Sequence, residues 1–285
     1  MTSTNIKILV CCHKADIKAS QEPYLPIHVG KALSNQELCI QADNEGDNIS
    51  HKNPSYCELT GMYWAWKNLK NVDIIGLCHY RRYFDFHNQC RKSFPQTIVS
   101  SENFDKINLS IPQDIIEKVQ KGFVVTAKPY PHWRFLVDEY CFNHVSDDLR
   151  VLESILKTSQ PQEIKDAYFK IMYQSHSLRH YNMFLMNWKE FNDYSTWLFD
   201  ILQKVEAQTD IEHYNPVQKR IYGYLAERLL NVWIEAYHKP IIEKPIIWFS
   251  NSADIFSHYS YLKFKFRCWI NDFAFWLIKP RKAIF

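Results

Sequence analysis

The sequence predicts an α/β protein, on three observations. Two apolar runs of strand length, IKILVCC (6–12) and IIGLC (74–78), lack the alternation of a half-solvated strand and suit strands covered on both faces. Longer segments carry apolar residues at helical spacing. Strand and helix segments alternate along the chain rather than segregating.

Residues 6–12 read as the first buried strand, delivering His13 and Lys14 at its end. A second strand is expected over 38–42, followed by the polar turn DNEGDNISHKN (43–53). YCELTGMYWAWKNL (56–69) has apolar and aromatic residues at helical spacing and predicts a helix despite Gly61. The strand at 73–78 then runs into His79, Tyr80, Arg81, Arg82 and Tyr83. Residues 88–112 are polar and irregular. GFVVTAKPY (122–130) predicts another strand, broken by Pro129 and Pro131. Residues 147–157 and 161–174 are expected as helices, YNMFLMNW (181–188) as a short strand, and 188–206 and 216–236 as helices. No internal repeat, low-complexity tract or linker interrupts this order. A single domain over 1–240 with a C-terminal extension over 241–285 fits best.

At 285 residues, 46% hydrophobic and 23% charged, the chain has the content of a packed core. Its six glycines stand at least fifteen residues apart, so neither a dinucleotide fingerprint nor a Walker-type phosphate loop can be written. A phosphorylated ligand would need side chains to supply the positive charge. The eight cysteines show no C-x-x-C or knuckle spacing, and several lie in apolar runs as small hydrophobes; reduced thiols in a cytosolic protein are expected. MTSTNIKILVCCHK lacks the pattern of a secretory signal, and no apolar run approaches the roughly 20 residues of a membrane span. The net charge of +3 is unevenly spread: residues 259–285 carry six Lys/Arg against one acid. That pattern excludes a uniform nucleic-acid-binding surface and leaves a basic tail.

Ligands of open α/β sheets bind beyond the carboxyl ends of the strands, so His13, Lys14, the 43–53 loop and His79–Arg82 should share one crevice. Arg81 and Arg82 read as a diphosphate clamp, because the guanidinium offers a planar fork of donors and stays charged. Asp43, Glu45, Asp47, Asn48 and Asn53 suit oxygen contacts to a ribose, a sugar or a cation, and equally an Asx-rich turn with a helix cap. Glu58, with Thr60 and Trp64 nearby, could position a ligand or favour its helix N-terminus. In RIYGYLAERLLNVWI (220–234), Glu227 stands in an otherwise apolar helix, where desolvation is expected to raise its pKa into a range useful to a general base. Asp200 and Asp138 are the alternative carboxylates.

Seven blocks in order, CCHK, YLPIHVG, DNEGDNISHKN, YCELTGMYWAWKN, GLCHYRRY, YNMFLM and GYLAERLLNVWI, resemble the bacterial capsular and exopolysaccharide biosynthesis glycosyltransferases with a His-Tyr-Arg-Arg-Tyr signature, some of which are galactofuranosyltransferases. The resemblance spans about residues 6–235. It implies a GT-A-like fold with a mostly parallel central sheet, a nucleoside-diphosphate sugar donor, expected to be a UDP-sugar, and a sugar acceptor, expected to be lipid-linked. For such a donor the expected binding residues are His13, Lys14, Asp43, Asp47, Asn48, Asn53, Glu58, Trp64, His79, Tyr80, Arg81, Arg82 and Asn182. In GT-A enzymes the strand corresponding to 73–78 leads to an Asp-x-Asp metal motif. Here no Asp-x-Asp follows it, and CHYRR takes that place. Arg81 and Arg82 are therefore expected to offset diphosphate charge, with His79 as a further donor or single metal ligand and the need for Mn²⁺ or Mg²⁺ open. The implied reaction is an inverting hexosyl transfer with Glu227 as base. The rival is a non-catalytic nucleotide-sugar or glycan-binding protein of an assembly complex.

Beyond residue 260, Leu262, Phe266, Trp269, Ile270, Phe273, Trp276 and Leu277 fall on one helical stripe flanked by Lys263, Arg267, Lys279, Arg281 and Lys282. Such a helix suits a core-docked terminus or a peripheral position on the anionic inner face of the cytoplasmic membrane.

Overall fold

The computed structural model of the protein describes residues 4–90 and 94–250, together with helical positions 263, 266, 269, 270 and 273. Its strands are β1 (Ile6–Cys12), β2 (Tyr24–His28), β3 (Gln41–Ala42), β4 (Ile74–His79), β5 (Arg82–Phe84), β6 (Gln96–Ser100), β7 (Val124–Ala127), β8 (Tyr130–Pro131), β9 (Ser177–Leu178), β10 (Phe184–Asn187), β11 (Ile241–Lys244) and β12 (Ile246–Ser250). Its helices are α1 (Asn53–Tyr56), α2 (Leu59–Asn68), α3 (Gln113–Gln120), α4 (Leu136–Asn143), α5 (Ser146–Ser159), α6 (Gln162–Gln174), α7 (Trp188–Glu206) and α8 (Ile221–Ala236).

A mixed, mostly parallel sheet runs in the order β11-β7-β10-β4-β1-β2-β3. Only β10 opposes its neighbours along this path, pairing antiparallel with both β4 and β7. β1 lies between β2 and β4 in parallel register, with Ile8 opposite Gly76 and Leu9 opposite Leu77. Alternation along β1 shows why residues 8–12 are wholly apolar. Leu9 and Cys11 join the core under α2 and α4–α8, whereas Ile8, Val10 and Cys12 join the core under α3 and the β5–β12 layer. With water excluded from both faces, the side chains of residues 8–12 must be apolar; Lys7, at the half-buried start of the strand, pairs with Glu22.

Several expectations are corrected. The helix expected over 56–69 is broken at Cys57, whose φ of 52° is left-handed, and it continues as α2 from Leu59. The strand expected over 38–42 is only β3. The stretch 88–112 contains β6 and a 3-10 turn at Ser101–Lys106. Residues 241–250 are not part of an appendage: β11 pairs with β7, and β12 pairs with β5 and β6, so the sheet extends to Ser250. In contrast, α7 spans 188–206 as expected, its start fixed by the Asn187 side chain accepting from the Glu190 N–H at 2.9 Å.

Of the C-terminal stripe, Phe266, Trp269 and Phe273 are helical, 60%, 62% and 52% exposed, and stacked on one another at about 6 Å. Leu262, Trp276, Leu277 and the flanking cations other than Lys263 lie outside the described residues. Among the described residues no helix is long and apolar enough to cross a membrane.

Candidate active site

β1 and β4 point their carboxyl ends the same way, and reversed β10 starts at that same edge. His13, His79 and Tyr181 thus meet at the mouth of one cavity of about 980 Å³. The α1–α2 junction adds Asn53 and Glu58 to its wall, α4 adds Glu139, and α8 adds Arg220, Glu227 and Arg228.

The segment before β10 organises the wall. Tyr181 (φ 75°) and Asn182 (φ 52°) are consecutive left-handed residues, a conformation that costs a non-glycine residue about 1–3 kcal/mol and clusters at functional sites. The bend aims backbone groups at two site residues. Tyr181 N–H donates to Glu227 Oε1 at 2.8 Å, and its carbonyl accepts from His79 Nε2 at 2.9 Å. The buried Asn182 donates through Nδ2 to Glu58 Oε1 at 2.7 Å and to the Gly223 carbonyl at 3.1 Å.

His79 is pushed below its ordinary pKa by burial, so it is neutral at pH 7. A carbonyl only accepts, so the single N–H of neutral His79 sits on Nε2 and is spent on Tyr181. The expected role of His79 as a donor to diphosphate is therefore corrected. Among the described residues no group of three or more His, Cys, Asp or Glu side chains could hold a metal ion.

The Arg pair divides. Arg82 lines the cavity, its guanidinium carbon 4.6 Å from the ring centres of both Tyr181 and Trp248, and its Nε is buried with no hydrogen-bond partner. Arg81 points elsewhere, donating to Asp16 at 2.6 Å, and does not line the cavity. Arg81 lies in the turn between β4 and β5, whereas Arg82 is the first residue of β5. Of the two arginines expected to share the crevice, only Arg82 lines it, braced by two aromatic rings.

Glu227 meets the expectation in place but not in acidity. Burial pushes its pKa up, but hydrogen bonding and charge from His180, the Arg228 guanidinium and the Tyr181 N–H outweigh burial and hold the carboxyl down at about 2. Arg228 itself is buried and donates to Glu139 Oε2 at 2.6 Å and to the Tyr224 carbonyl at 3.0 Å.

Of the other expected residues, Tyr80 lines the cavity with its ring edge-on to His13. Lys14, Asp47, Asn48, Trp64, Asp138 and Asp200 do not line it. Asp200 pairs with Lys204 on the exposed side of α7, Asp47 accepts from Tyr63 OH, Asn48 bonds the Gly46 carbonyl, and Trp64 is in the core. Asp43 lies fully buried beneath the site, accepting from the N–H groups of Gly30 and Lys31 at 2.8 and 3.1 Å and from Ser50 Oγ. Gly30 has φ 73° and Asn53 presses against it, so the loop is fixed from both sides.

Asp43→Ala strips three donors of their acceptor and should lower stability by about 2–4 kcal/mol in urea unfolding. UDP affinity of the folded fraction should stay unchanged. A loss of affinity without a loss of stability would return Asp43 to the ligand.

His180, Glu139, Arg228 and Trp248 were not read as site residues. His180 adjoins the YNMFLM block, and that adjacency was the one available signal. Glu139 sits in a helix whose existence the sequence pattern did not reveal.

A family model described as "Domain of unknown function (DUF4422)" matches residues 7–239. No curated protein matches. A solved apo structure of the WbbM bifunctional glycosyltransferase is similar at 29% identity and a TM-score of 0.75. The likeness covers 87% of this chain and 46% of that protein, so the chain spans less than half its length. The α/β architecture with its mostly parallel sheet is that of a GT-A-like fold.

Proposed function

The chain belongs to the DUF4422 family, and we propose that it is a glycosyltransferase of bacterial polysaccharide synthesis, moving a sugar from a UDP-sugar to a glycan acceptor. Galactofuranose is the proposed sugar, a lipid-linked glycan the proposed acceptor, and inversion in one displacement the proposed course. The observation that carries this reading is Arg82, fixed between Tyr181 and Trp248 in a cavity at the carboxyl edge of β1 and β4. Similarity to the WbbM glycosyltransferase supports it.

In this mechanism Arg82 binds the diphosphate. The acceptor hydroxyl attacks the anomeric carbon, the bond from that carbon to the diphosphate oxygen breaks, and its electron pair leaves with UDP. Arg82 stabilises the charge that develops there, as a preorganised donor that needs no reorientation. Glu227, ionised and aimed by the Tyr181 N–H, takes the hydroxyl proton. Glu58, held by Asn182, and Asn53 are placed to contact the sugar or ribose hydroxyls. No step is assigned to a cation.

A screen of UDP-sugars by thermal shift, with and without Mn²⁺, tests the donor class. Stabilisation by UDP and at least one UDP-sugar is expected, and no shift with any of them would refute the reading. Binding without UDP release would favour a non-catalytic nucleotide-sugar-binding protein.

For a lipid-linked acceptor we assign the exposed face of Phe266, Trp269 and Phe273 to an anionic membrane surface. The six Lys/Arg of residues 259–285 supply the complementary charge, each worth about 1 kcal/mol near such a leaflet. Full-length protein should sediment with vesicles containing phosphatidylglycerol at low salt. Replacing Phe266, Trp269 and Phe273 together by Ser should abolish sedimentation and spare UDP binding. Equal sedimentation of the triple variant would contradict the assignment.

A further inference from the structure

Behind Glu227 lies a closed circuit of ionisable side chains. His180 Nδ1 is 3.5 Å from Glu227 Oε2, and His180 Nε2 is 2.9 Å from His132 Nε2. His132 Nδ1 faces Glu139 Oε1 at 3.9 Å. Arg228 closes the circuit, 2.6 Å from Glu139 Oε2 and 3.6 Å from Glu227 Oε2. Four elements meet here: α4 brings Glu139, α8 brings Glu227 and Arg228, the β8 edge brings His132, and the turn before β10 brings His180. The Tyr130 ring lies about 6 Å from both imidazoles, and the Tyr181 ring 5.7 Å from His180.

Counting protons on the two imidazoles decides what the pair can hold. The Nε2–Nε2 contact needs one hydrogen between the rings. Two neutral imidazoles carry one more N–H, on one of the two Nδ1 atoms. The other Nδ1 then presents a bare lone pair to a carboxylate, which is repulsive. One added proton fills that position and gives each end of the pair an N–H facing a carboxylate. A second added proton would set two Nε2–H groups head to head. The pair is therefore built to take up one proton.

We propose that the His180–His132 pair receives the proton that Glu227 takes from the acceptor hydroxyl; this rests on the transferase reading above. The acceptor O–H bond breaks as its oxygen bonds the anomeric carbon, and the leaving electron pair goes to the diphosphate. The proton passes through Glu227 to His180 Nδ1, regenerating the carboxylate, and returns to water as products leave. His180 and His132 are positioning residues that act through Glu227. Transfer starts from the tautomer in which His180 Nδ1 is bare; Glu227 then lacks the His180 hydrogen bond that otherwise lowers its pKa, and it takes a proton more readily. Burial first, and then the neighbouring imidazole, push His132 down to about 4.

The test joins ring titration to kinetics. Histidine ring signals of the full-length protein, followed by NMR from pH 8 to 3, should show His132 and His180 responding together to a single first protonation. His132→Gln keeps an N–H donor towards His180 but cannot carry the charge. It should lower kcat at least 10-fold at pH 7, alter the acid limb of its pH profile, and leave UDP affinity within about twofold. Independent titration of the two rings, or wild-type kcat and pH profile in His132→Gln, would overturn the relay. A joint titration in a protein that releases no UDP from any UDP-sugar would instead sink the transferase reading, and the relay with it, while the one-proton pair stands.

Discussion

Arg82→Ala should weaken binding of UDP and of the UDP-sugar by about 1.5–3 kcal/mol, a loss of roughly 10- to 150-fold in affinity. The guanidinium is preorganised between Tyr181 and Trp248, so little side-chain entropy is lost when phosphate binds. Arg82→Lys should recover only part of the loss, because an ammonium neither stacks between two rings nor offers a fork. Trp248→Ala should loosen the arginine and reproduce a fraction of the effect. Arg81→Ala, which breaks an ion pair with Asp16 outside the cavity, should cost UDP far less. Calorimetry giving equal losses for Arg81→Ala and Arg82→Ala would restore the two-arginine clamp.

Glu227→Gln should lower turnover about 10²-fold or more while UDP affinity changes little, since the amide keeps the shape and an acceptor for Tyr181 N–H but cannot take a proton. The same substitution should change how stability depends on pH. The folded pKa of Glu227, about 2, lies below its unfolded value of 4.5. Its ionised form therefore stabilises the protein above pH 4.5, and that contribution is lost as the pH falls towards 2. The variant should unfold in acid with a shallower dependence over this window. A variant with full turnover would make Glu227 structural. Glu139, which lines the same cavity, would then be the carboxylate to examine, ahead of Asp138 and Asp200, which do not.

What could be read from the chain follows the physics of burial. β1 and β4 were legible because their stretches covered on both faces, 8–12 and 74–78, are apolar throughout, and α7 because its apolar stripe is a local signal. β12 was missed although IIWF (246–249) is an apolar run, because no recognised block reached it; Trp248 and half of the brace on Arg82 went with it. His79 and Arg82 were found by their place after a buried strand, but Arg81 falls in the turn and Arg82 on the short β5, a boundary that no sequence pattern marks. The Glu227–His180–His132–Glu139 circuit was not legible. Its members come from four elements, and the acidity of Glu227 is set by partners that no spacing in its own helix reveals. Desolvation alone, the one effect readable from an apolar helix, gives the wrong sign.

The central claim is that the cavity bounded by Arg82 and Glu227 is the donor site of a sugar transferase. The most direct test measures UDP release from a panel of UDP-sugars that includes UDP-galactofuranose, for wild type, Arg82→Ala and Glu227→Gln. Slow release by wild type from at least one donor is expected, with Arg82→Ala raising the donor concentration needed and Glu227→Gln lowering the rate at saturation. No release from any donor, or release that both variants leave unchanged, would contradict it.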